Sequence, residues 1–330
     1  MTLKLSKIVS NFPQEGLAFA FAYGSGVFHQ KGHKAMSQNM VDFIFAVDNA
    51  KAWHKENMRR NRKHYSFLSS LGPEGIARVQ ENWGARVYFN TLVPCEDRLI
   101  KYGVISTSDL IDDLCLWRTL YISGRLHKPV LILKRKDNPA LLEALQQNTS
   151  SAMAAALLML PEAFTEEQLY IAITSLSYTG DFRMTVGEDK QKVQNIVKPN
   201  VARFQELYHP ILDHVNHIHW HKKQAFIEQD TSPHAVYSHL NMLPKTLQDL
   251  IWLEKNRDKR YQDTEEVMKS LAHSADYREV VERGVQSIVK NSSITQSLKS
   301  ILTAGMVKSV RYSAAKLRKM LASKRQPVSV

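Results

Sequence analysis

Two glycines flank a serine at Gly24-Ser25-Gly26, directly after the apolar run LAFAFAY, and Asp42 stands sixteen residues further on inside a second apolar run, MVDFIFAVD. Glycines permit positive φ and let another group approach the backbone, so a strand that ends in this turn can present amide N–H groups to an anion. A carboxylate inside an apolar strand is costly unless it is paired or bound to a cation. Together the two elements could hold a phosphorylated molecule, amides and hydroxyl on the phosphates and the carboxylate on Mg²⁺. An ordinary tight turn is the competing reading of the glycines alone. Two familiar phosphate motifs are excluded. His29 stands where the third glycine of a dinucleotide fingerprint belongs, and no Gly-Lys-Ser/Thr follows for a P-loop.

A Gly-Ser turn after one strand and an aspartate on the next is the layout by which nucleotidyltransferases hold a triphosphate. That layout usually carries a second acid two residues on, and here position 44 is Ile. Asp48 has the right parity, but six residues of strand span about 20 Å, too far for a shared ion. A second metal ligand is therefore expected from elsewhere, with Asp112 and Asp113 of DLIDDLCLW as candidates and a surface helix acid as the alternative. His54, Asn57 and Asn61 recur at helical steps on one polar face, with His64 and Tyr65 just beyond. His54 and Asn57 join Gly24, Ser25 and Gly26 as candidates for nucleotide binding. Lys101 lies in the apolar run LIKYGVIS, where an ammonium needs an anionic partner. SGRLHKP brings Gly124, Arg125, His127 and Lys128 together as a candidate phosphate clamp, Arg as a fork and Lys as a point charge. Ordinary surface pairing is the alternative for each of these groups.

The elements that must position these residues can be read coarsely. Strands are expected at LAFAFAY, MVDFIFAV, ARVYFNTLV, LIKYGVIS and PVLIL, and helices near 51–70, 73–82 and 107–121. Their loose alternation points to an α/β (α+β) domain with a mixed sheet over residues 1–138. Residues 140–180 read as helical, Thr165 and Gln168 forming a capping-box pattern. Two strand-like runs around Gly187 suggest a hairpin, so 139–200 reads as a winged-helix-like module. Residues 201–330 read as a helical region. Within it, His214, His217, His219 and His221 crowd into DHVNHIHWH, but their mixed spacing fits no recognised zinc pattern, and a partly exposed helix is expected.

A chain of 330 residues with these apolar and charged fractions is that of a globular protein of about two domains. The longest apolar run, SAMAAALLMLPEAF, is too short to cross a bilayer. The N-terminus lacks the features of a secretory signal or an obvious cleavable transit peptide. Cys95 and Cys115 form no close pair, which suggests free thiols in a reducing compartment. The net charge of +12 is concentrated in the tail, where no acidic residue follows Glu282. Ile294, Leu298 and Ile301, then Val310, Ala314, Leu317 and Leu321, recur at steps of three or four, with Lys and Arg on the other faces and Gly305 between the two segments. An amphipathic cationic tail over about 290–325 suits the interface of an anionic bilayer better than nucleic acid, because stacking aromatics are nearly absent. A helix packed on the protein with a solvated basic face is the alternative.

Through AFAYGSGV, VDFIFAVDNAKAWHKEN, HYSFL, LIKYGVIS, SGRLHKPV, LSYTGDFRM, VGEDKQKVQNIV, LPKTL and SSITQSLKSILTAG, the chain resembles the mitochondrial phosphatidate cytidylyltransferases, the translocator assembly and maintenance family, over nearly its whole length. The resemblance implies a nucleotidyltransferase domain, a winged-helix domain and a membrane-binding C-terminal region. It implies Mg²⁺-dependent transfer of CMP from CTP to phosphatidic acid, giving CDP-diacylglycerol for cardiolipin synthesis, at the matrix face of the mitochondrial inner membrane. It implies that Gly24 and Ser25 hold the CTP phosphates, that Asp42 binds Mg²⁺, and that Lys101, Arg125 and Lys128 face phosphate. Other classes are a non-catalytic membrane-associated factor for translocase assembly and, third, a nucleotidyltransferase acting on RNA. A strand-borne acid argues against the former, and no nucleic acid is expected.

Overall fold

The computed structural model describes residues 2–30, 39–186, 191–257 and 262–304. In chain order the first elements are α1 (Thr2–Ser10), β1 (Leu17–Tyr23), β2 (Val41–Val47), α2 (Ala50–Asn61), α3 (Gly72–Asn82), β3 (Tyr88–Cys95), β4 (Arg98–Ser106), α4 (Thr107–Leu116), α5 (Ser123–Leu126) and β5 (Leu131–Arg135). There follow α6 (Pro139–Met159), β6 (Ala163–Thr165), α7 (Glu166–Ser175), α8 (Phe182–Val186), α9 (Lys192–Val197), α10 (Val201–Leu212), β7 (Ile218–His221), β8 (Phe226–Gln229), α11 (Pro233–Asn241), α12 (Lys245–Lys255), α13 (Thr264–Ala272) and α14 (Tyr277–Ala304).

The five apolar runs expected as strands pair into one mixed sheet of order β3-β4-β2-β1-β5. β2 and β4 run parallel and the other neighbours antiparallel. β1 and β2 are apolar on both faces because both faces are covered. On one side Phe43, Phe45 and Tyr102 pack with Phe12 and with Trp53 of α2. On the other, Phe19, Phe21, Ile44 and Ile105 pack with Leu110 and Leu114 of α4. Ile44, where the paired-acid pattern would place a second carboxylate, is thus a core residue with no exposed surface.

The second unit has a core built mainly from α6, α7 and α10 to α14, around a three-stranded antiparallel sheet of order β6-β8-β7. Trp117 and Leu120 of the first unit enter that core, so the two units are joined by apolar packing. Thr165 caps α7 with the reciprocal Gln168 bond read from the sequence.

Four local expectations are corrected. The helix expected over 51–70 ends at Asn61 and gives way to single 3-10 turns at Arg62–His64 and Phe67–Leu71. The one expected over 107–121 stops at Leu116, because Trp117 adopts a left-handed conformation (φ 52°) and closes the helix on the Asp113 carbonyl. The runs flanking Gly187 are the helices α8 and α9, not a hairpin; Gly187 itself lies outside the described residues. The histidine-rich stretch is a turn followed by β7 rather than a helix, since Ile218, Trp220 and their neighbours pair with β8.

Candidate functional site

The register of the sheet assembles the site. Tyr23 at the end of β1 lies opposite Asp42 of β2, and Asp42 lies opposite Lys101 of β4. Side chains alternate between the faces of a strand, so three laterally paired residues form one row on one face. Gly24 follows with φ +82°, and a side chain on it would meet the Asp42 carboxylate at 3.4 Å. Its carbonyl accepts from the amides of Val27 and Phe28, both at 3.0 Å. Gly26 is required by a chain crossing: a Cβ there would lie 2.6 Å from the Met40 carbonyl oxygen. Ser25 belongs to the same turn, its carbonyl held by the Asn39 amide at 3.2 Å.

This row opens on a cavity of about 220 Å³ between the sheet, the 120–129 segment and the second unit. Among the described residues its charged lining is Lys101, Arg125, Lys128, Arg183 and Lys192 against Asp42 and Asp181. The Lys101 ammonium sits 4.3 Å from the centre of the Phe89 ring, and the Arg125 guanidinium 4.0 Å from that of Tyr121. Lys128 donates to Ser177 Oγ at 2.8 Å. Burial, then the nearby charges of Arg125 and Lys192, holds its ammonium well below the ordinary lysine range. Burial alone would raise the Tyr121 hydroxyl, but Arg125, Arg183 and Lys101 draw it down to about 8. The Lys128 shift reports first a partly dry cleft and the Tyr121 shift nearby positive charge, together a setting that favours an anion.

The scaffold under Arg125 and Lys128 explains two other residues singled out in the sequence. Asp113, 5% exposed, is not free for a metal: one oxygen accepts from the amides of Thr119 and Leu120 and the Thr119 hydroxyl, the other from Ile122, Ser123 and the Ser123 hydroxyl. Its charge is spent on ordering the turn that carries Tyr121 and Arg125. Asp112 stands outside the cavity lining and pairs with Arg118 at 3.3 Å. His127 points away from the clamp into a buried contact with Asn148 at 3.0 Å, and Asn148 also receives the Trp117 indole N–H at 2.9 Å.

His54 and Asn57 do not reach the cavity either. They lie across the sheet from Asp42, in a closed network with no exposed surface. His54 bonds the Tyr65 hydroxyl at 2.7 Å and Gln80 at 2.9 Å, while Asn57 donates to the hydroxyls of Tyr65 and Tyr102. Tyr102 follows Lys101 on β4 and so faces the opposite way. The expectation that this helix face binds nucleotide is corrected by that alternation.

The second unit contributes residues that sequence reasoning did not single out: Ser177, Tyr178, Asp181, Arg183, Lys192 and, from α14, Ser292 and Ser293. Asp181, 4% exposed, accepts from the amide and guanidinium of Arg183. The available signal was the acid and base beside Gly180, a glycine with φ +80°.

α14 buries an apolar face as far as Val289 and a polar one beyond it, so Lys299 is buried rather than solvated as expected. Gln296 bonds the Ala85 amide at 2.9 Å and the Val87 carbonyl at 3.2 Å, and Lys299 donates to the carbonyls of Gln80 and Trp83. Ile294, Leu298, Ile301 and Leu302 are left 38–54% exposed. Phe67 and Leu71 are also exposed, next to Ser66, whose hydroxyl donates to the Leu302 carbonyl. Gly305, Val310, Ala314, Leu317 and Leu321 lie outside the described residues. Among the described residues no helix is long and apolar enough to cross a membrane.

A glycine turn, a strand-borne aspartate and a group of cations at the end of a mixed sheet are the chemistry that suits a phosphorylated ligand. The sequence matches the family described as phosphatidate cytidylyltransferase, mitochondrial, over residues 5–319. Relatives bearing that name include one from Danio rerio, 53% identical over 95% of this chain and 93% of its own length. Another, from Xenopus laevis, is 52% identical over 97% and 95%, and a third, from Caenorhabditis elegans, 42% identical over 96% and 98%. The chain belongs to this family.

Proposed function

We propose that this protein transfers the cytidylyl group of CTP to phosphatidate, releasing pyrophosphate and forming CDP-diacylglycerol, in the cavity beside Asp42. Family membership supplies the reaction, and the observation that supports its placement is the excess, among the described residues, of half-buried cations around the Tyr23–Asp42–Lys101 row. A phosphatidate oxygen forms a bond to the α-phosphorus of CTP while the bond from that phosphorus to the pyrophosphate oxygen breaks in line. A phosphate monoester is largely dianionic near pH 7, so no general base is needed. The barrier is repulsion between two anions. Lys101 and the Arg125 fork would hold the phosphates and stabilise the charge that builds on pyrophosphate, and Lys128 would offer a point charge nearby. The Gly24–Gly26 turn would let the triphosphate approach the backbone closely.

Among the described residues no three His, Cys, Asp or Glu converge on one point. Mg²⁺ suits such a site, since it commonly takes one or two carboxylates and completes its shell with substrate phosphates and water. Asp42 would hold it, with Asp181 across the cavity already engaged by Arg183. When bound, the ion would offset the charge of the reacting phosphates.

The same reading makes residues 1–138 a nucleotidyltransferase-like domain followed by a winged-helix-like module, which would have to extend beyond the expected 139–200 to take the β7–β8 hairpin as its wing. The exposed α14 stripe, followed in sequence by a tail without acidic residues, would dock the protein on an anionic bilayer, at the matrix face of the mitochondrial inner membrane. A truncation that isolates this docking role has to spare Ser292, Ser293 and Gln296, because these line the cavity or hold α14 in place. The test is conversion of labelled CTP on phosphatidate vesicles in Mg²⁺. CDP-diacylglycerol with matching pyrophosphate is expected, and its absence with folded, vesicle-bound protein would overturn the proposal.

A further inference from the structure

A second cavity of about 770 Å³ adjoins the first. It lies between the β5 edge of the sheet and helices α6, α10 and α11, and its walls include Ile132, Leu145, Met153, Leu207 and Ile211. The two cavities share Phe28, Lys128 and Pro129. Arg203 stands at this seam, its guanidinium 5.0 Å from the centre of the Phe28 ring. A molecule that spans both spaces meets cations at one end and, at the other, a mainly apolar wall interrupted by polar side chains such as Gln146, Thr149 and Ser238.

The wall of the second cavity also carries a buried imidazole. His239 in its wall is 4% exposed, and neither ring nitrogen has a hydrogen-bond partner among the described residues. Burial, followed by the nearby His217, lowers its pKa to about 4, so the ring is neutral near pH 7. The volume falls within the range of roughly 300–1,000 Å³ that ligand sites occupy. A free nucleotide uses none of this apolar wall.

We propose that the second cavity receives an acyl chain of the phosphatidate acceptor, with Lys128 and Arg203 at the seam where the phosphate enters the first cavity. This rests on the cytidylyltransferase reading and adds to it a lipid subsite inside the protein, separate from any surface that docks on the bilayer. The acceptor would be drawn out of the membrane along the seam rather than attacked at the bilayer surface.

Calorimetry of the full chain with monomeric dibutyryl, dihexanoyl and dioctanoyl phosphatidate, and with glycerol 3-phosphate, tests this directly. Affinity should rise about tenfold for each two methylenes that enter the cavity, and glycerol 3-phosphate should bind weakest. Leu207→Trp and Ile211→Trp, both on half-buried positions of α10, fill the space. They should flatten the chain-length dependence at least threefold while KM for CTP stays within twofold. Ile132→Asp, at a 44% exposed position, puts a charge in the wall without threatening the core and should do the same. Wild-type affinity that ignores chain length overturns the proposal. So does full chain-length dependence in folded tryptophan variants, which would place the chains elsewhere or the protein's own residues 305–330 in the groove. Chain-length-dependent binding without CDP-diacylglycerol formation would leave the subsite standing and sink the catalytic reading instead.

Discussion

Two polar clusters lie on opposite faces of the same sheet, and they differ in how their charges are met. On one face His54, Asn57, Tyr65, Gln80 and Tyr102 bond one another in a network of neutral groups. On the other, Lys101, Arg125, Lys128, Arg183 and Lys192 outnumber Asp42 and Asp181 around an open cavity. In sequence both looked like chemistry. A polar group that has found its partners stabilises the fold, whereas a surplus of one sign of charge around a cleft suits a ligand of the other sign.

Substitutions should separate the two faces. The largest effect is expected at Asp42: Asp42→Asn should lower turnover on the order of a thousandfold and barely move the melting temperature. Arg125→Lys keeps the charge but loses the fork, and kcat/KM for CTP should fall on the order of a hundredfold. Across the sheet, Asn57→Ala takes one partner each from the Tyr65 and Tyr102 hydroxyls, which keep His54 and His64, and should cost about 1–3 kcal/mol of stability in denaturant unfolding. The turnover of its folded fraction should remain within about threefold of wild type; a selective loss of kcat there would erase the distinction between the faces.

Acid sharpens the comparison. Burial, the largest cause at both rings, lowers His54 to about 4 and His127 to about 3, from an ordinary value of 6.5. Above pH 6.5 neither ring is charged folded or unfolded, so their full contribution to stability is present. Below it the unfolded chain binds protons that the folded rings refuse, and stability falls by about 1.4 kcal/mol per pH unit per ring. The loss continues until pH reaches the folded values. Unfolding midpoints measured from pH 7 to 4 should show this slope together with the share of His239, which burial likewise lowers to about 4, and His54→Gln should remove one ring's share. The smallest effect on the fold is expected at Leu298→Asp, on the exposed stripe of α14. Stability should change by less than about 0.5 kcal/mol while sedimentation with anionic vesicles weakens several-fold; unchanged sedimentation would remove α14 from the docking surface.

Much of this was legible in the chain. The strands of the first unit stood out because cover on both faces makes them continuous apolar runs, and Asp42 and Lys101 stood out as charges inside such runs. What could not be read was the register, which decides that Lys101 joins Asp42 while the neighbouring Tyr102 joins Asn57. Asp113 sits three residues from the helix end, and only the folded turn after Trp117 shows that its carboxylate is consumed. The period of α14 was visible but not its orientation, because Gln296 and Lys299 find backbone partners in the 80–87 segment that no helical wheel reveals. Asp181 and Arg183 were hidden in a stretch whose short helices resemble strands in composition.

The central claim is that Asp42 anchors the reaction in the cation-lined cavity. The most direct measurement is Mg²⁺-dependent conversion of labelled CTP to CDP-diacylglycerol on phosphatidate vesicles, for wild type beside Asp42→Asn at equal folded concentration. Turnover by wild type with near-total loss in the variant is the predicted result; equal turnover by both would contradict it and move the metal site away from β2.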